Sequence, residues 1–111
     1  MAHVLVVDDD PAGLELRKLT LERRGHQVTA APGPQEARAA FRSAGPETVI
    51  MDLRLPRLED GLALIREFRA LAPGVRIVVL SGASTDLDRR PEAAMVDRIA
   101  GVNSLVGLVS A

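Results

Sequence analysis

The sequence predicts an α/β domain, a mostly parallel sheet covered by helices on both faces. Two observations carry this. The runs Val4-Leu5-Val6-Val7, Thr48-Val49-Ile50-Met51 and Val75 to Leu80 are continuously apolar apart from Arg76, as strands buried on both faces require. Between them lie segments with helical start and stop signals, and strands alternating with helices imply parallel strands joined by right-handed crossovers. A chain of 111 residues with 47% hydrophobic content suits one globular domain with one core.

The elements follow in order. After the first strand, Asp10 suits an N-cap and Pro11 the first helical position, and the helix should run to about Arg24 with Gly25 as its stop. Its apolar stripe is imperfect: Leu14 and Leu21 share one face while Leu16 and Leu19 form a second. Gln27 to Ala31 reads as a short strand. Pro34 opens a second helix through Ser43, with Ala37, Ala40 and Phe41 facing the core and Gly45-Pro46 ending it. Thr48 to Met51 is the next strand, and Leu53 to Asp60 reads as a loop. A third helix, about Gly61 to Ala72, carries Leu64, Ile65, Phe68 and Leu71 on one side, and Pro73-Gly74 ends it. Val75 to Leu80 is a strand ending in Ser81-Gly82. Beyond it the pattern weakens: a loop over Ala83 to Arg90, a short helix from Pro91 to about Val96, an edge strand over Arg98 to Val102, and about two helical turns in Ser104 to Ala111.

Composition narrows the function. A net charge of -1 gives no electrostatic reason to expect direct nucleic-acid or membrane-surface binding. There is no Cys, so disulfides and thiolate metal sites are excluded, and His3 and His26 are too few for a His-rich site. Apolar runs are too short to span a bilayer, and a cytoplasmic protein is expected. No second or output domain is visible, so residues 1–111 read as one domain. That favours a stand-alone adaptor, a relay or a domain cut from a longer protein. The apolar tail could leave a patch for a partner or a homodimer mate.

Three strands end in polar groups: Asp8 and Asp9, Asp52, and Ser81. In an open parallel sheet, sites form beyond the carboxyl ends of the strands. Clustered carboxylates repel, and a hard divalent cation such as Mg²⁺ is an economical compensation. Asp52 would then be placed as a carboxylate nucleophile toward phosphorus, and Ser81 to hydrogen-bond a phosphoryl oxygen beside side-chain-free Gly82. Asp10 belongs to the helix as its cap.

On these residues the sequence resembles the receiver domain of two-component response regulators. The matching stretches are Val4-Leu5-Val6-Val7-Asp8-Asp9-Asp10-Pro11, Leu21-Glu22-Arg23-Arg24-Gly25-His26-Gln27-Val28, Met51-Asp52-Leu53-Arg54-Leu55-Pro56, Asp60-Gly61-Leu62 and Val78-Val79-Leu80-Ser81-Gly82. No single motif is specific; the ordered set over roughly residues 3 to 82 is. The resemblance implies a flavodoxin-like (CheY-like) doubly wound five-stranded sheet of order 2-1-3-4-5, here with shortened helices 4 and 5. It implies that Asp52 accepts a phosphoryl group from a histidine kinase or phosphotransfer protein. It also implies Mg²⁺ ligation by Asp9 and Asp52, by Asp8 mainly through water, and by the backbone carbonyl of Arg54. Ser81 takes the Ser/Thr switch position.

The departures are as informative. The family carries a lysine at the end of strand 5, where this chain has Val102 or Asn103, and Lys18 in the first helix is the only lysine in the sequence. The aromatic switch position holds Ile99 or Ala100. A charge-assisted hydrogen bond is roughly twice as strong as a neutral one, so losing the lysine should weaken phosphoryl stabilisation and alter the switch output. Arg54, Arg57 and Arg98 were weighed as substitute cations and read better as solvated surface groups. A degenerate receiver acting as a phosphorylation-independent binding module is the alternative. A small hydrolase of the haloacid dehalogenase type, with Asp8 as nucleophile and Asp10 as acid, would need a lysine and more chain, and would leave Asp52 without a role.

Overall fold

The computed structural model describes residues 3–53, 57–80 and 87–99. Its elements are β1 (His3–Val7), α1 (Pro11–Arg23), β2 (Gln27–Ala31), α2 (Pro34–Ala44), β3 (Thr48–Met51), α3 (Leu58–Leu71), β4 (Arg76–Leu80), a 3₁₀ helix (Pro91–Met95) and the three-residue β5 (Asp97–Ile99). All strand pairs are parallel, β2, β1, β3 and β4 lie side by side in that order, and β5 pairs with the outer edge of β4. Among the described residues no helix is long and apolar enough to cross a membrane.

The strands alternate their side chains between two clusters, as a pleated strand must. Leu5, Val7, Val49, Met51, Ile77 and Val79 point to the α2–α3 side, where they meet Ala37, Phe41, Leu62, Leu64, Ile65 and Phe68. Val4, Val6, Ile50 and Val78 point to the opposite side and meet Leu21 and Leu14 of α1. Helices on both faces account for strands that are apolar throughout. The rings of Phe41 and Phe68 stack between α2 and α3 with centroids 4.1 Å apart. Above them Glu67 accepts three hydrogen bonds of 2.9–3.1 Å from Arg38, which fastens the same two helices at the surface.

The ends of α1 are as expected. Asp10 caps it, Oδ2 accepting from the Gly13 N–H at 3.3 Å, and Gly25 turns the chain at φ 89°. The start of α3 corrects the sequence reading. The helix begins at Leu58, within the stretch read as loop, because Asp60 is its third residue and not a loop residue. Its carboxylate accepts the Arg57 N–H at 3.2 Å and closes the first turn. The edge strand also starts one residue early: Asp97 pairs with Val78, and its carboxylate takes a 3.0 Å hydrogen bond from Arg76 of β4. The segments read as the strand's continuation to Val102 and as helix 5 from Ser104 lie outside the described residues.

Candidate functional site

The geometry of the site is set by register. Val7, the last residue of β1, is paired with Met51, the last of β3. Asp8 and Asp52 are the next residues on each strand, so they leave the sheet side by side. Both backbones are tied to the sheet: Asp8 N–H donates to the Ala31 carbonyl of β2 and Asp52 N–H to the Val7 carbonyl of β1, each at 3.1 Å. Two carboxylate-bearing residues are thereby held at the carboxyl edge of the central strands.

The aspartates differ sharply in environment. Asp8 is buried at 2% exposure, Asp52 is half-buried, and Asp9 and Asp10 are exposed. Asp8 Oδ1 accepts the Asp10 N–H at 2.9 Å, and Oδ2 forms an ion pair with Nη1 of Arg17 in α1. A buried carboxylate needs such compensation. Among the described residues no three His, Cys, Asp or Glu side chains are gathered into a ready metal cage. The donor set nevertheless suits a hard divalent cation in kind, being carboxylate oxygens on adjacent strand ends.

Leu53, the residue after Asp52, is held by the start of α3. Leu53 is fully buried, and Gly61 lies against its backbone so closely that a Cβ there would sit 1.8 Å from the Leu53 carbonyl oxygen. Glycine at this point lets α3 approach the strand end that carries Asp52. Arg54, Ser81, Gly82, Ala100, Val102 and Asn103 lie outside the described residues. Arg57, expected as a solvated surface group, is the exposed N-cap of α3.

Arg17 is the site residue that sequence reasoning missed. A signal existed: residues 14, 17 and 21 fall on one helical stripe, with Leu at the two ends and Arg between. A charge on the sheet-facing side of an amphipathic helix needs a partner inside, and Asp8 is that partner.

A parallel α/β sheet with helices on both faces and acidic residues at the ends of its first and third strands fits a signalling domain of the receiver type. The sequence matches the response regulator receiver domain family over residues 4–100, and the chain belongs to that family. It is 33% identical over 101 residues to the probable transcriptional regulatory protein TcrX of Mycobacterium tuberculosis, covering 91% of this chain and 39% of that protein. It is 37% identical over 92 residues to the transcriptional regulatory protein AruR of Pseudomonas aeruginosa, covering 78% of this chain and 37% of that one. The chain thus spans well under half the length of these curated relatives. Among solved structures, the response regulator TrrA of Thermotoga maritima in complex with Mg²⁺-BeF superposes with a TM-score of 0.83 at 28% identity, covering 99% of this chain and 97% of that one. A receiver domain from Methylobacillus flagellatus gives a TM-score of 0.82 at 30% identity, with 99% and 97% covered. The fold is that of the flavodoxin-like receivers, and the chain is a receiver domain of a two-component system.

Proposed function

We propose that Asp52 is the phosphoacceptor of this receiver domain and that its donor is the phosphohistidine of a histidine kinase or phosphotransfer protein. The single observation that carries the reading is the β1–β3 register, which sets Asp52 beside Asp8 at the carboxyl edge of the sheet. A carboxylate oxygen of Asp52 forms the new bond to phosphorus. The phosphorus–nitrogen bond of the donor breaks, and the imidazole nitrogen keeps the electron pair and takes up a proton. Asp9 and Asp52 would hold Mg²⁺ directly, Asp8 through water, and Arg54 through its backbone carbonyl. When bound, the metal supplies the positive charge that offsets repulsion between the carboxylates and the incoming phosphoryl oxygens. Ser81 accepts the role of phosphoryl contact and switch. We take Asp97–Ile99 as the family's fifth strand in the order 2-1-3-4-5. The only lysine is Lys18, so phosphorylation is read out weakly or by an altered route.

The test is incubation of wild type and Asp52→Asn with acetyl phosphate and Mg²⁺, followed by intact mass. The wild type gains one phosphoryl group and the variant none. The same missing lysine favours one alternative, a degenerate receiver that binds a partner without phosphorylation. A wild type that never gains the mass would leave that reading standing.

A further inference from the structure

Arg17 is the one charged side chain of the acidic corner that the receiver pattern leaves unexplained. It sits in α1 between Leu14 and Leu21, on the stripe that packs against the sheet. Its side chain is 19% exposed, and the carboxylate of Asp8 with which it pairs is 3% exposed. The seat is made by Gly13: a Cβ there would lie 3.1 Å from Arg17 Nη1, 3.1 Å from Asp10 Oδ2 and 3.2 Å from Asp8 Oδ2. Any larger residue at position 13 would crowd the pair. The Nε of Arg17 is buried and finds no hydrogen-bond partner among the described residues. A guanidinium inserted at that cost is held there by the carboxylate it neutralises.

We propose that Arg17 is a built-in counter-cation of the acidic corner, one that competes with Mg²⁺ for Asp8. The proposal rests on the reading of Asp8 as part of the Mg²⁺ site. Asp8 Oδ1 is already taken by the Asp10 N–H, and Oδ2 by Arg17. A dication arriving at this corner meets a fixed positive charge and a carboxylate whose charge is already balanced. Metal loading and the Arg17–Asp8 pair therefore oppose each other, and by linkage each weakens the other to the same degree. The arginine thus sets how much Mg²⁺ is needed before the site can accept a phosphoryl group. It enters from α1, and the only lysine of the sequence, Lys18, lies in that same helix.

The experiment is calorimetric Mg²⁺ titration together with thermal unfolding in EDTA and in saturating MgCl₂, on the wild type, Arg17→Gln and Gly13→Ala. Arg17→Gln is expected to bind Mg²⁺ about tenfold more tightly, the change that follows from losing one charge-assisted contact to Asp8. In EDTA it melts lower than wild type, because Asp8 is left buried and unpaired, and Mg²⁺ raises its melting temperature by more. Gly13→Ala keeps the arginine but narrows its seat, so it also tightens Mg²⁺, by a smaller factor, and adds nothing further in the double variant. If Arg17→Gln fails to fold, Arg17→Lys decides: it keeps a charge on a shorter, single-point donor and is expected to tighten Mg²⁺ by a smaller factor. Wild type and variants binding Mg²⁺ equally would overturn the role of Arg17 and leave the metal site standing. Absence of Mg²⁺ binding in all of them would overturn the metal site and this inference together.

Discussion

Gly61 at the start of α3 and Leu53 after β3 are in backbone contact, with no room for a methyl group between them. The contact fixes Leu53, the residue after Asp52, against α3. Gly61→Ala must push α3 or Leu53 away. It is expected to cost about 2–3 kcal/mol, more than the gain from alanine's better helix propensity. Urea denaturation measures it, and a variant as stable as wild type would show that the two elements are not rigidly joined.

Phe41 and Phe68 form the stacked contact between α2 and α3, and Phe68 is 1% exposed. Phe68→Ala removes a large side chain from a closed core and is expected to cost about 3–5 kcal/mol. Phe68→Leu should recover most of that loss, because the site is apolar and only the stacking geometry is forfeited. Chemical denaturation of the two variants side by side gives the comparison.

Glu92 links the 3₁₀ helix to α3. It is 4% exposed, and its Oε2 accepts a 2.5 Å hydrogen bond from Arg66, which holds the carboxyl below its ordinary value of 4.5. A carboxyl with a depressed folded pKa contributes stability above its unfolded value and loses it as pH falls through the folded value. Glu92→Gln should therefore destabilise at pH 7 by about 1 kcal/mol, a modest figure because the partner is half-exposed, and flatten the acid limb of stability. Urea midpoints at pH 7 and at about pH 4 test the sign: the gap between wild type and variant should be narrower at the lower pH.

Fluoroberyllate with Mg²⁺ is expected to shift backbone amide resonances around Asp8, Asp9, Asp52 and Ser81, the residue after β4, while leaving β5 nearly unchanged. The ammonium that would tie the phosphoryl group to strand 5 is missing, since the only lysine is Lys18 of α1. Large shifts along β5 would mean that another group couples the site to that edge.

Much of this was legible because local chemistry and tertiary packing agree. Asp10-Pro11 opens α1 as caps do, Gln27 to Ala31 and Thr48 to Met51 are strands with the expected bounds, and the strand-end aspartates Asp8 and Asp52 are neighbours. The misses have physical causes. The α3 start was placed late because Asp60 acts backward, on the Arg57 N–H, so an acidic residue that looked like loop closes a helical turn. β5 was placed late because Asp97 is a charged edge residue whose partner, Arg76, is distant in sequence. Arg17 was passed over for the same reason. Its role depends on a glycine one turn earlier and a carboxylate at the end of another element, a juxtaposition that periodicity does not reveal.

The central claim is that the corner formed by Asp8, Asp9 and Asp52 accepts a phosphoryl group on Asp52. Its most direct test is treatment with acetyl phosphate and Mg²⁺, borohydride reduction of the acyl phosphate to homoserine, and mass spectrometry of the peptides. The account predicts homoserine at position 52 alone, lost in EDTA. Unmodified Asp52 under these conditions, or reduction at another acidic residue, would contradict it.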